Sequence, residues 1–188
     1  MLKQFTNKSV VIIMFFISIA GCMSTPVKES DTKVDSSIIE KPVVIADFKV
    51  SGALQQRYKT ALEYMQSEDY RQAISSMEKI VAEEPRVSGP WINMAIAYRK
   101  LDEIDKAESA IQKALEVNPD NPYALNQAGI IMREMGKFAA SEEMYKRALA
   151  EYPNYSNAHL NLAILCDLYL QKIVCAKSHY QAYQELNQ

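Results

Sequence analysis

Three prolines, Pro85, Pro119 and Pro153, stand 34 residues apart, and each closes a stretch that repeats the same apolar positions in the same order. The second stretch carries Trp91, Met94-Ala95, Tyr98, Ala107, Ile111 and Ala114-Leu115. The third carries Leu125, Ala128-Gly129, Met132, Gly136, Phe138, Tyr145 and Ala148-Leu149. A fixed period of this length marks a helical repeat array. Small residues at Ala95, Gly129, Ala114 and Ala148 let antiparallel helices approach, and larger ones such as Tyr98, Ile111 and Tyr145 fill the space beside them. A single helix pair cannot bury its apolar faces alone, so each repeat is stabilised by the next.

A weaker upstream copy keeps Ala61, Tyr64, Tyr70, Ala73, Met77 and Val81 before Pro85, with Arg57 in place of the aromatic. Downstream of Pro153, His159, Leu162-Ala163 and Cys166 stay in register. Ala176 and Tyr180 then fall one residue late, which predicts a fourth pair with a turn one residue longer. The pattern resembles the tetratricopeptide repeat (TPR) family. That resemblance implies an all-α fold, a right-handed α-solenoid of about four helix pairs. The expected domain covers 51–188, with repeats near 52–85, 86–119, 120–153 and 154–188. Lys177, Gln181, Gln184 and Gln188 form one helical stripe that can serve as a polar cap. Ile173, Ala176, Tyr180 and Tyr183 are expected to face inward.

The other informative end is the beginning. Lys3 and Lys8 precede an apolar run from Val10 to Ile17, too short for a spanning helix, and small residues follow. This is the pattern of a signal peptide over 1–21. Ile19-Ala20-Gly21-Cys22 resembles a bacterial lipobox, which implies lipidation at Cys22 and anchoring to a membrane rather than spanning it. Met23, where an aspartate would favour retention at the inner membrane, implies the outer membrane, facing the periplasm. Residues 22–50 are polar, with two prolines and no helical period, and read as a flexible linker.

Without residues 1–21 the chain carries 19 basic and 23 acidic residues, a charge of −4 with both signs interspersed. No basic footprint suggests nucleic acid as a partner. No Gly-rich phosphate loop, G-x-S-x-G or H-E-x-x-H motif is present, so no catalytic residue, cofactor or enzyme activity is expected. With Cys22 committed to lipid, Cys166 and Cys175 remain, one about a turn before and one about a turn after the last hairpin turn. A disulfide, two free thiols, or a metal site with His179 are all open at this stage. A disulfide fits an oxidising envelope compartment.

In the family that the chain resembles, the first helix of each pair lines a concave groove. Carrying its facing positions over gives Tyr58, Leu62 and Met65, then Ile92, Asn93, Ile96 and Arg99. The third repeat supplies Tyr123, Asn126, Gln127, Ile130 and Arg133, and the fourth Leu160, Asn161, Ile164 and Asp167. The amides are suited to an extended peptide backbone, the isoleucines to an apolar floor, and Arg99 and Arg133 to a carboxylate. The resemblance thus implies an adaptor or scaffold whose groove takes a segment of another envelope protein. Lipoproteins of this plan serve type IV pilus and secretin assembly, or act as adaptors for peptidoglycan enzymes. A third reading is a redox or metal protein using Cys166 and Cys175. The oligomeric state is open.

Overall fold

The computed structural model describes residues 51–188; the expected signal peptide, Cys22 and the linker lie outside the described residues. Eight α-helices follow one another: α1 (Gly52–Gln66), α2 (Tyr70–Glu83), α3 (Ser88–Lys100), α4 (Ile104–Val117), α5 (Pro122–Glu134), α6 (Phe138–Glu151), α7 (Ser156–Ile164) and α8 (Ile173–Leu186). A π-helical segment, Leu165–Tyr169, continues α7. Consecutive helices pack against each other, and α5 also touches α3 and α7, so the pairs stack into an α-solenoid. No strand occurs among the described residues, and none of their helices is long and apolar enough to cross a membrane.

Local chemistry sets the boundaries. Asn121 caps α5, its side-chain oxygen accepting from the Tyr123 and Ala124 amides at 3.0 and 3.2 Å, and Pro122 occupies the first helical position. Helices α2, α4 and α6 end two residues before Pro85, Pro119 and Pro153.

Within each pair a three-residue turn places its middle residue at positive φ: Glu68 (61°), Asp102 (58°), Gly136 (74°) and Gln171 (53°). In the first three turns the following amide reaches back five residues, Asp69 to Tyr64, Glu103 to Tyr98 and Lys137 to Met132, at 2.8 to 2.9 Å. This is the Schellman closure of a helix end. The spacing of these residues is 34, 34 and then 35.

The extra residue lies in the helix, and the turn keeps its length. This corrects the expectation of a longer turn. Leu170 donates to the Leu165 carbonyl at 3.0 Å, five residues back, and Lys172 to that of Cys166 at 2.8 Å, six back. These longer-range bonds are how a helix absorbs an insertion. Register recovers afterwards: Lys137 binds Glu108 and Lys172 binds Glu142, each at 2.7 Å.

The core follows the repeat pattern. Ala61, Ala73, Met77, Ile92, Ala95, Ala107, Ile111, Ala114 and Ala128 join one cluster across α1 to α5. A second cluster of Ile130, Tyr145, Leu162, Leu165, Cys166 and Ala176 serves the last two pairs. Ala176 is buried and Tyr180 and Tyr183 are half-buried, but Ile173 is 77% exposed, contrary to expectation. It opens α8, three residues before Ala176, the buried residue of that helix. The polar stripe Lys177, Gln181, Gln184 and Gln188 is exposed.

Candidate functional site: the concave face

The first helices of the pairs bring the sixteen expected groove residues into a series, but with unequal access. Tyr58, Met65, Ile92, Asn93, Ile96, Asn126, Gln127 and Ile130 are buried. Leu62, Arg99, Arg133, Leu160, Asn161 and Ile164 are half-buried, and Tyr123 and Asp167 are exposed.

The buried amides hold neighbouring repeats together. Asn93 donates to the Tyr58 hydroxyl at 2.6 Å, and burial pushes that phenol well above the usual tyrosine range, with the bond from Asn93 opposing the shift. Asn161 donates to the Asn126 oxygen at 3.0 Å. Both contacts join residues 35 apart, so one helix's side chain reaches a site one residue further along the next. Arg99 binds Glu134 through two nitrogens at 2.8 and 3.0 Å and donates to Gln127 at 3.2 Å. Asn93, Asn126, Gln127 and Asn161 therefore spend hydrogen bonds on the array itself where a peptide backbone had been expected, and Arg99 is engaged with Glu134. A buried amide left unbonded would cost about 1–3 kcal/mol, which is why these groups find each other.

Apolar residues divide similarly. Leu62, Met65, Ile92 and Ile96 join the first core, Tyr58 and Leu62 a third, and Ile130 the second. Tyr123, Leu160 and Ile164 enter none of the core clusters. Tyr123 is 39% exposed and packs edge-on against Tyr155 at 5.2 Å, with Tyr152 stacked on Tyr155 at 5.7 Å. Apolar side chains available to a ligand thus gather on α5 and α7. Burial of the floor in earlier repeats was not legible from helix positions, because the same position serves packing or binding according to the residue opposite.

Cys166 and Cys175 form a disulfide across the last hairpin, with Cα atoms 6.0 Å apart. With both sulfurs joined, neither is a thiolate ligand for the metal site weighed with His179. His179 instead meets His159, their Nδ1 atoms 2.8 Å apart, while His159 Nε2 lies 2.9 Å from the Pro153 carbonyl. The carbonyl accepts only, so Nε2 donates to it; in the neutral pair His159 Nδ1 accepts from His179. Burial, then the neighbouring His159 and Lys146, hold the His179 pKa below the usual histidine value.

Two family models, each described as tetratricopeptide repeat, match residues 64–126 and 110–143. Residues 64–143 carry tetratricopeptide repeats. Among curated proteins, the chain is similar to the photosystem I assembly protein Ycf3. With that of Prochlorococcus marinus it shares 33% identity over 111 residues, 57% of this chain and 62% of the relative. With that of Synechococcus it shares 34% identity over 45% of this chain and 51% of the relative. The matched part is thus less than two thirds of each relative's length. Among solved structures, the Pseudomonas aeruginosa PilF superposes with a TM-score of 0.66 at 23% identity, covering 72% of this chain and 61% of that one. A crystal structure of MamA gives 0.62 at 19% identity, covering 71% and 78%. These two show the shared TPR solenoid fold.

Proposed function

We propose that this TPR protein is an adaptor of the cell envelope, tethered to the outer membrane by lipid at Cys22 and facing the periplasm. On this reading its concave face takes a segment of another envelope protein during assembly of a larger complex. The observation that carries the binding reading is the placement of Tyr123, Leu160 and Ile164 outside every core cluster, on adjacent first helices. Side chains of this kind contribute affinity when a partner removes them from water. The disulfide supports an oxidising compartment. The relatives named for photosystem I assembly support an assembly role, and the plan of a lipid anchor followed by repeats makes pilus or secretin assembly the first pathway to test.

The test is in-cell crosslinking and purification of the full-length chain beside a Tyr123→Ala, Leu160→Ala, Ile164→Ala variant. The proposal expects one envelope protein to be lost from the variant while its helical melt is unchanged. Identical capture by both forms would remove the concave face as the binding site. Cys22→Ala should release the protein from the membrane fraction; retention there would contradict lipid anchoring at Cys22.

A further inference from the structure

Arg99 and Arg133 occupy the same position of α3 and α5, 34 residues apart, yet their surroundings differ. Arg99 finds Glu134, 35 residues on, as a bidentate partner. With the inserted residue counted, the corresponding position after Arg133 is Tyr169; Leu168 before it is 63% exposed, and among the described residues Arg133 has no carboxylate partner. Its guanidinium lies 5.9 Å from the centroid of the Tyr169 ring. Tyr169 closes the π-helical segment, is 44% exposed, and is braced by Phe138 at 4.9 Å. Inserted π turns recur at functional sites because they re-aim side chains.

Other charges at this end of the array have partners. Lys137 and Lys172 bind Glu108 and Glu142, and Asp167 lies 3.4 Å from the Tyr180 hydroxyl. A half-buried guanidinium set over an aromatic face presents a planar fork with no acid to fill it. That fork matches a carboxylate in two hydrogen bonds, and exposed Leu168 offers contact to an apolar neighbour of that carboxylate.

We infer that Arg133 and Tyr169 form a receptor for the carboxylate of an acidic peptide, with Leu168 meeting the apolar residue beside it. This rests on the concave face being the ligand surface and specifies the chemistry the ligand brings there. The π-helical insertion is then what turns a structural arginine position into a recognition position.

The test is a solution NMR titration of the full-length chain in detergent, reading the Arg133 Nε–H and the Leu168 and Tyr169 amides. The probes are N-acetyl-leucyl-aspartyl-leucine amide and its asparaginyl counterpart. The expected result is saturable shifts with the aspartyl probe, about tenfold tighter than with the asparaginyl one. Arg133→Gln should erase that preference with an unchanged thermal melt, and Arg133→Lys should keep part of it, having charge without the fork. Equal affinities, a preserved preference in Arg133→Gln, or no saturable shift would overturn the inference. The adaptor reading fails separately, through unchanged capture by the Tyr123, Leu160 and Ile164 variant.

Discussion

The ring of Tyr145 occupies the space that a side chain on Gly129 would need. A Cβ built there would lie 2.6 Å from Tyr145 Cδ1 and 2.9 Å from Cζ, and Tyr145 is fully buried. The Ser141 hydroxyl also donates to the Gly129 carbonyl at 2.7 Å, so α5 and α6 touch backbone to side chain at this point. Gly129→Ala should therefore destabilise the array by about 1–3 kcal/mol through overpacking. Chemical denaturation measures it. A neutral substitution would mean that the helices separate at little cost.

The positive-φ turn residues give a paired prediction. Gln171 at φ 53° bears a side chain where glycine is favoured, and Gly136 at 74° already has none. Gln171→Gly should stabilise by roughly 1 kcal/mol and Gly136→Ala should destabilise by about as much. Thermal melts of the two variants should move in opposite directions.

The disulfide ties α8 to the helix preceding it. Cys166 and Cys175 are separated by 9 positions, and in the chain-entropy model closing such a loop contributes about 2.5–3 kcal/mol. A Cys166→Ser, Cys175→Ser variant should lose hydrogen-exchange protection in α8 first, with α3 and α4 nearly unaffected. Uniform loss across all helices would show that the array unfolds as one unit.

The histidine pair predicts acid sensitivity. The folded His179 pKa is depressed, so as pH falls below about 6.5, the ordinary histidine value, the unfolded chain binds the proton more readily. The stabilisation is therefore complete above that pH and is lost as pH falls toward the folded pKa. Thermal stability should drop from pH 7 to pH 5, and His179→Gln should flatten that slope. An equal slope in the variant would assign the acid effect to other groups.

Much of the fold was legible because the 34-residue period fixes which residues must be small, large or helix-ending, and Ala95, Gly129, Tyr145 and the three prolines each act locally. The fourth pair was half legible. The slip before Ala176 showed that one residue is extra, but a longer turn and a π-helical turn place α8 in the same register. The choice depends on whether the helix can close i to i−5 bonds, as Leu170 and Leu165 do. The concave face was least legible. Asn93 and Asn126 sit at facing positions, yet Tyr58 and Asn161 on adjacent repeats take their hydrogen bonds. Arg99 and Arg133 look equivalent in sequence until Glu134 is seen beside the first and Tyr169 beside the second.

The central claim, that the last two first helices carry the binding face, is tested most directly by placing a photo-crosslinking amino acid at Ile164 or at Gln112. Ile164 belongs to the proposed face, and Gln112 is exposed on α4. Crosslinking in cells should join a defined envelope protein to the Ile164 position and not to the Gln112 position. The same protein captured from Gln112 alone, or equally from both, would contradict the account.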